Sequence, residues 1–230
     1  MKTILITGAS GALGSVVTGQ FLQKGYQVIA PLHSEKGIDA LPKHANLHTA
    51  IIDLANEAAT NSLIENLVEQ YRTIEVGILL AGGFAGGDIR TTNLAAIHQQ
   101  VAINFETAYT VLRPLFVHML QNKQGRIVLT GSQVSLTPKK GKTSLAYSLS
   151  KSLLFHLAEI LNEEAKGTNV VTTVVVPSTI DTEANRTAMP GSDFTKWVQP
   201  GHLAQILEFI VSEKADALRE PVFKVYNQAG

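Results

Sequence analysis

Tyr147 and Lys151 are the residues of this sequence whose types and spacing best suit proton transfer. The segment that holds them is predicted to be helical, and the Y-x-x-x-K spacing places both side chains on one face, a turn apart. We expect the Lys151 ammonium to stabilise a phenolate and to lower the pKa of Tyr147 from its usual value of about 10. Such a hydroxyl suits the interconversion of an alcohol and a carbonyl.

Two further polar residues are candidates for the same site. Ser132 ends a predicted buried strand, and its hydroxyl can polarise the oxygen on which Tyr147 acts, because the carboxyl ends of parallel strands converge. Ser135 competes for this role, since spacing does not decide between the two serines. Asn104 lies in an apolar helical segment, where a buried amide must find hydrogen-bond partners. We interpret Asn104 as part of a relay that holds a water next to Lys151.

A glycine-rich turn, TGASGALG at 7–14, stands between a predicted strand and a predicted helix. Glycines at such a turn allow a tight bend, a close approach to a pyrophosphate and close packing of the helix on the strand. The start of the helix also offers free N–H groups and its positive dipole end to phosphates. The turn therefore predicts a dinucleotide site that contains Gly8, Ser10, Gly11, Ala12, Leu13 and Gly14.

The end of the second predicted strand bears on the choice of dinucleotide. An acidic residue there would bind the ribose hydroxyls of NAD, but this sequence has Leu32 at that place. His33 and Ser34 follow, with Lys36 beyond, and the first carboxylate is that of Glu35. These residues favour NADP, with His33 and Ser34 near the 2′-phosphate, and leave NAD as the second choice.

Short apolar runs alternate with amphipathic segments along the chain. We predict strands at 4–7, 26–32, 48–54, 76–83, 125–132, 169–177 and 221–227, and helices at 12–24, 61–71, 93–121 (one helix or two) and 144–165. This alternation is typical of an α/β fold with a doubly wound, mostly parallel sheet and helices on both faces, that is, a Rossmann fold. Residues 183–200 lack a clear period and are predicted to be an irregular loop beside the ligand, likewise at the carboxyl edge of the sheet.

The composition narrows the class of protein. A chain of 230 residues with 45% apolar residues fits one domain, 1–230, with one sizeable core. Lys plus Arg equal Asp plus Glu at 19 each, which gives no electrostatic reason to expect nucleic acid or a membrane as partner. The chain has no cysteine, and its seven histidines form no metal-binding pattern, so we expect no metal site and a cytoplasmic location.

The motifs, taken in order, resemble those of the short-chain dehydrogenase/reductase family over nearly the whole chain. They are the turn at 7–14, Asp53-Leu54, Ala81-Gly82-Gly83, Asn104, Ser132, Tyr147-x-x-x-Lys151 and the segment 177–182. The resemblance implies that Tyr147 carries the proton, Ser132 orients the substrate and Lys151 binds the nicotinamide ribose. Asn104 would support a proton relay.

The same resemblance implies further contacts to the dinucleotide. Asp53 would accept a hydrogen bond from the adenine amino group, with Leu54 beside it, and Ala81 and Gly82, followed by Gly83, would line the adenosine ribose. The turn that contains Pro177, Thr179, Ile180 and Thr182 would hold the carboxamide edge. Two positions depart from the family pattern, which usually has Asn in place of Leu80 and Gly in place of Ser178.

A closer resemblance is to the quinonoid dihydropteridine reductases, through AGGFAGG at 81–87 and the stretch 179–197. Those enzymes, as the resemblance goes, lack the equivalents of Asn104 and Ser132, which this chain has. We therefore expect an oxidoreductase that acts on a carbonyl, an alcohol or a pteridine-like small molecule. The alternative is a non-catalytic dinucleotide-binding regulator or redox sensor.

Two predictions concern larger features of the molecule. The loop 183–200, with Met189, Phe194 and Trp197, is expected to close over the substrate and exclude water. The helices around 104–121 and 144–165 are apolar on more than one face, and the family resemblance implies a homodimer or homotetramer through them.

Overall fold

The apolar runs of the sequence form one parallel sheet in the computed structural model, which describes residues 1–228. Within that range the sheet has seven strands, β1 Thr3–Thr7, β2 Gln27–Leu32, β3 Leu47–Ile51, β4 Val76–Leu79, β5 Gln124–Thr130, β6 Asn169–Pro177 and β7 Val222–Val225. Their order is β3-β2-β1-β4-β5-β6-β7, and every pairing is parallel. The predicted Rossmann fold is confirmed, with a sheet that is parallel throughout these strands.

The winding of the chain reverses between β1 and β4, which are neighbours in the sheet. The chain first moves outward from β1 through β2 to β3, and then crosses back and moves outward in the other direction. The crossovers on the two sides leave on opposite faces, so a crevice opens at the carboxyl ends of β1 and β4. The glycine-rich turn follows β1 directly and therefore lies at this crevice.

Helices cover both faces of the sheet. They are α1 Ala12–Gln23, α2 Glu57–Tyr71, α3 Leu94–Val101, α4 Thr107–Asn122, α5 Gln133–Leu136, α6 Pro138–Gly141, α7 Leu145–Glu164, α8 Glu183–Ala188 and α9 Pro200–Val211 within the described residues. α1 and α9 pack on one face, and α2, α4 and α7 pack on the other. Two cores result, one on each side of the sheet.

The alternation of side chains along β1 fills both cores. Ile6 points toward Phe21 of α1 and Leu207 of α9, whereas Leu5 points toward the opposite core, which contains Leu115 of α4. All of these side chains are essentially buried. Burial of one such side chain stabilises the fold by about 1.5–3 kcal/mol, so the sandwich holds the crevice rigidly.

Several predicted boundaries are corrected by the structure. The strands predicted at 48–54 and 76–83 end earlier, at Ile51 and Leu79, because the chain leaves the sheet there to form the loops at the crevice. The segment 93–121 forms two helices, α3 and α4, joined by a π-helical turn at Ala102–Glu106. Helix α9 was not predicted, although Pro200 at its start and the spacing of its buried residues Leu203, Ala204, Leu207, Ile210 and Val211 are helical signals.

The segment 183–200 is more ordered than predicted. It begins with the short helix α8, whose first turn is capped by the Thr182 side chain accepting from the backbone N–H of Asn185 at 3.3 Å. A single 3-10 turn, Phe194–Lys196, follows, capped by the side chain of Asp193. Ser, Thr, Asn and Asp are favoured at such caps because their oxygens satisfy N–H groups that lack helical partners. The prediction of an irregular loop throughout 183–200 is therefore wrong.

Helix α1 crosses the glycine-rich turn at a distance that only glycine permits. A Cβ on Gly14 would lie 2.0 Å from the carbonyl oxygen of Gly8 and 2.8 Å from the Cα of Ala9. These neighbours are backbone atoms, which cannot rotate out of the way. Gly8 itself has φ +64°, a left-handed conformation that side chains disfavour.

We predict that Gly14→Ala destabilises the protein by about 1–3 kcal/mol, because the added methyl group overpacks the turn. Gly19→Ala in the same helix is the matched control, since a Cβ there meets nothing within 4 Å. The control is expected to stabilise the protein by about 0.5–1 kcal/mol through helix propensity. Urea unfolding of both variants measures the effects, and equal stabilities would contradict the close approach.

Candidate active site

A cavity of about 300 Å³ lies in the crevice at the carboxyl ends of β1, β2 and β4. It is lined by Gly8, Ser10, Pro31, Leu32, His33, Ile52, Leu54, Ala81, Gly82, Ile103 and Thr107. Six of the residues predicted to bind the dinucleotide, Gly8, Ser10, His33, Leu54, Ala81 and Gly82, are therefore brought together in one cavity. A second cavity, of about 430 Å³, lies beside the carboxyl end of α7 and is lined by none of the predicted site residues.

The turn after β1 is shaped as a phosphate cradle. Gly11 donates its backbone N–H to the carbonyl oxygen of Gly8 at 3.0 Å, which closes the turn, and Gly11 is also the N-cap of α1. As a glycine it contributes no side chain to cap the N–H groups of Ala12 and Leu13. These N–H groups and the helix dipole suit a pyrophosphate, so the cradle fits the expected dinucleotide.

The ends of β1 and β4 touch at this cradle. A Cβ on Gly8 would lie 2.8 Å from the backbone nitrogen of Ala81, and that nitrogen donates to the Thr7 hydroxyl at 3.2 Å. Leu80, which replaces the family's usual Asn, packs against the core instead of supplying a polar group. The loop that begins at Ala81 is therefore fixed directly against the glycine-rich turn.

The end of the crevice near β2 holds the residues predicted to select the dinucleotide. Leu32 is buried at the end of the strand, whereas His33 and Ser34 are exposed. Asp53 accepts a hydrogen bond from the backbone N–H of Ala55 at 3.0 Å. Asp53 precedes Leu54, whose side chain lines the cavity. Among the described residues, no carboxylate lines the cavity.

The Lys151 side chain is buried beside the loop that begins at Ala81. Its Nζ donates to the carbonyl oxygen of Thr130 at 2.8 Å, and it lies 3.2 Å from the position of a Cβ on Gly82. Only 5% of the residue is exposed, and this burial lowers the pKa of Lys151 to about 8. The absence of a side chain on Gly82, which lines the cavity together with Gly8, therefore leaves room for the ammonium beside it.

Burial raises the pKa of Tyr147 above its usual value, and a side-chain hydrogen bond with Ser132 opposes the shift. The expectation that Lys151 lowers this pKa is wrong for the structure as it stands, because desolvation of the phenol is the largest effect. The Tyr147 ring also meets the exposed Phe84 ring edge to face, with centroids 5.0 Å apart. A raised pKa keeps the phenol protonated and able to donate.

Of the two candidate serines, Ser132 is the one whose side chain affects the pKa of the Tyr147 phenol. Ser132 is the N-cap of α5, and its side chain makes no capping hydrogen bond to that helix. The Ser135 hydroxyl is instead buried and has no hydrogen-bond partner within residues 1–228. Ser132 and Tyr147 thus come together from the end of β5 and the first turn of α7.

Asn104 is fully buried on the π-helical turn between α3 and α4. Its Oδ1 accepts from the backbone N–H of Gly83 at 3.0 Å, and its Nδ2 donates to Gly83, Gln100 and Ser150 at 2.9–3.2 Å. Such π turns occur often at functional sites. The side-chain amide pins the Ala81-Gly82-Gly83 loop and is fully used by protein partners.

The predicted carboxamide turn follows β6. Ser178, which replaces the family's usual Gly, donates its hydroxyl to the carbonyl oxygen of Tyr226 at 2.9 Å and so ties the turn to the chain after β7. Ile180 pairs with Val198 in an isolated parallel bridge. The turn is anchored on both sides, and Thr182 caps the helix that leaves it.

Several residues at the site cannot be identified from the sequence alone. Thr130 holds Lys151, Gln100 and Ser150 hold Asn104, and Phe84 contacts Tyr147. The spacing of residues along the sequence predicts none of these contacts, because each contact joins separate elements or depends on the π turn. Among residues 1–228 there is no group of three or more His, Cys, Asp or Glu able to hold a metal ion. Over the same range no helix combines the length and apolar character required to cross a membrane.

The chain matches the family model of the short chain dehydrogenases over residues 2–192. It is 27% identical over 209 residues to the dihydropteridine reductase of Dictyostelium discoideum, a match that covers 90% of this chain and 86% of that protein. It is also 27% identical over 183 residues to an acetoacetyl-CoA reductase of an Acinetobacter strain, which covers 76% and 73% of the two chains.

Solved structures with a similar fold are also found. The solved structure of ElxO with NADP bound superposes with a TM-score of 0.90 over 99% of this chain and 98% of that chain, at 19% identity. This likeness supports the fold. The predicted resemblance to the wider family and to dihydropteridine reductase is confirmed by the sequence matches.

We predict that Lys151→Met changes how stability depends on pH. An unfolded Lys has a pKa near 10.5, so the unfolded chain keeps a proton that folded Lys151 loses above about pH 8. Wild-type stability should therefore rise by about 2 kcal/mol relative to the variant as the pH increases from 8 toward 10.5. Urea unfolding at several pH values measures this difference.

Lys166→Met is the matched control, because Lys166 is exposed near the end of α7 and pairs with Glu163. It should follow the pH dependence of the wild type. A Lys151→Met profile parallel to that of the wild type would contradict a buried ammonium at this position.

Proposed function

The chain belongs to the short chain dehydrogenase family, and from this premise we propose that it transfers a hydride between a nicotinamide dinucleotide and a small molecule, with Tyr147 as the general acid and base. We propose a carbonyl, an alcohol or a pteridine-like compound as the substrate. The observation that carries the proposal is the position of the buried Lys151 ammonium beside Gly82, a residue that lines the cavity together with Gly8.

The proposed proton donor is the Tyr147 phenol. During reduction it would donate to the substrate oxygen, and during oxidation the phenolate would take the proton back. The Ser132 hydroxyl, whose interaction with Tyr147 lowers the pKa of the phenol, would orient that oxygen. The dinucleotide would supply the hydride, bound with its phosphates at the turn of Gly8 and Gly11.

Lys151 would stabilise the phenolate as it forms, because its ammonium is buried in surroundings where charge interactions are strong. Asn104 would hold the Gly82-Gly83 loop in place, so that Gly82 leaves room for the ammonium. Since the Asn104 amide is used by protein partners, we propose that any water relay passes along the backbone of the π-helical turn.

We propose NADP as the preferred dinucleotide, with NAD as the second choice. Exposed His33 and Ser34 at the cavity rim would lie near the 2′-phosphate, and Leu32 would not repel it. Asp53 and the carboxamide turn at 177–182 would hold the two ends of the dinucleotide. The segment 183–200 would cover the substrate.

We propose a homodimer or homotetramer assembled through α4 and α7. Both helices carry large apolar side chains that are 38–53% exposed, namely Tyr109, Val117, Leu149, Leu153 and Ile160. They lie on helices that pack on the same face of the sheet. A second subunit would remove this apolar surface from water. The composition and the absence of cysteine support a cytoplasmic location for the assembly.

Tyr147→Phe tests the proposed chemistry. We expect kcat to fall by about 10²–10⁴-fold, the usual contribution of a general acid, while NADPH binds with nearly unchanged Kd. Turnover is measured as NADPH oxidation with a panel of aldehydes, ketones, quinones and dihydropterins. Tyr71→Phe, which removes an exposed hydroxyl at the end of α2, is the control and should behave like the wild type. Undiminished turnover in Tyr147→Phe would remove Tyr147 from the mechanism.

His33→Asp tests the proposed preference for NADP. A carboxylate at the cavity rim would repel the 2′-phosphate, so NADPH should bind about tenfold more weakly and NADH about as well as before. His44→Asp makes the same change in the loop before β3. This loop lies at the amino ends of the strands, away from the cavity, so the change should leave both Kd values unchanged. Titration calorimetry gives the Kd values, and equal effects on NADPH from both variants would refute the assignment.

A further inference from the structure

Asp181 makes a group of side-chain hydrogen bonds that the proposed hydride and proton transfer does not explain. Its carboxylate accepts hydrogen bonds from Nε and an NH2 group of Arg186 at 2.5 and 2.8 Å, and from Nε2 of Gln199 at 2.7 Å. The Asp181 side chain is only 4% exposed. Two-pronged binding by Arg is geometrically specific, so the carboxylate is held in one orientation. We call Asp181, Arg186 and Gln199 the clasp.

The clasp joins three consecutive parts of the chain. Asp181 belongs to the turn after β6, Arg186 lies in α8, and Gln199 is the N-cap of α9. The backbone reinforces the junction, because Asp181 donates its N–H to the carbonyl oxygen of Val198 at 2.8 Å and Val198 donates to Thr179 at 2.9 Å. The segment 183–200 is thus closed at its base, as in an Ω-loop.

The clasp also supports the aromatic side chains of this segment. The Arg186 guanidinium lies over the Phe194 ring, 4.8 Å from its centroid, and Phe194 packs against Trp197 with centroids 4.7 Å apart. Trp197 is only 5% exposed, and Asn227 donates to its carbonyl oxygen at 2.9 Å. A guanidinium held by a carboxylate on one side can thus fix an aromatic ring on the other.

We propose that Asp181 is a positioning residue that couples dinucleotide binding to closure of the segment 183–200 over the substrate. The proposal rests on the proposed function, which places the nicotinamide beside the turn at 177–182. One carboxylate fixes both that turn and the segment that leaves it. Without the clasp, the dinucleotide would have to order both parts as it binds, and its affinity would fall.

The charge of the clasp is permanent near neutral pH. Hydrogen bonds from Arg186 and Gln199 lower the pKa of Asp181 to about 2. The stabilisation is therefore present above the ordinary pKa of an aspartate and is lost only as the pH falls toward 2. Changes of pH in the physiological range therefore leave the clasp charged.

Trp197, the single tryptophan of the chain, reports the state of the segment without any substrate. We expect Asp181→Asn to increase acrylamide quenching of Trp197 fluorescence severalfold and to weaken NADPH binding about tenfold, as is usual when a charged hydrogen bond is lost. Lys196→Gln is the matched control, because Lys196 lies in the same segment and pairs only loosely with Asp193 at 3.6 Å. It should match the wild type in both measurements.

Arg186→Gln and Arg186→Lys separate positioning from general stability. We expect Arg186→Gln to behave like Asp181→Asn and Arg186→Lys to recover part of both properties, since it keeps a cation opposite the carboxylate. Variants that unfold at a lower temperature but keep Trp197 shielded and bind NADPH normally would overturn the proposal.

The measurements also distinguish the two proposals. A wild type that binds neither NADPH nor NADH would overturn the proposed function and the coupling with it. A wild type that binds NADPH, together with an Asp181→Asn variant that binds it equally well, would overturn the coupling alone.

Discussion

The buried ammonium of Lys151 is the interaction on which the candidate site depends. A lysine side chain that is 5% exposed costs free energy, which the Thr130 carbonyl oxygen offsets only in part. Its position requires three elements to meet, namely the end of β5, the loop after β4 and the second turn of α7. Lysine side chains with a pKa lowered by burial are found often at functional sites.

The close approach of backbone to backbone explains why the elements can meet there. Gly8 and Gly14 allow β1, β4 and α1 to touch, and Gly82 leaves the space that Lys151 and Asn104 face. The Asn104 amide then locks the loop onto the π-helical turn. The glycine-rich turn and the region around Lys151 are therefore joined by close backbone packing into one unit.

The sequence predicts much of this arrangement and misses some of it for physical reasons. Continuous apolar strands and the helical spacing around Tyr147 identify the Rossmann fold, because burial on both faces leaves a pattern that is local in the chain. The hydrogen bond from Lys151 to the Thr130 carbonyl oxygen and the clasp at Asp181 are contacts between separate segments, so no local pattern predicts them. The pKa of Tyr147 was predicted with the wrong sign, because a spacing rule contains the nearby charge but not the desolvation of the phenol.

A crystal structure of the protein with NADPH bound tests the central claim most directly. We predict that the pyrophosphate lies on the backbone N–H groups of Gly11, Ala12 and Leu13, and that the Lys151 ammonium donates a hydrogen bond to the nicotinamide ribose. The Tyr147 hydroxyl should face the reactive carbon of the nicotinamide ring across the substrate space. A dinucleotide bound elsewhere, or a nicotinamide ring out of reach of Tyr147, would contradict the account.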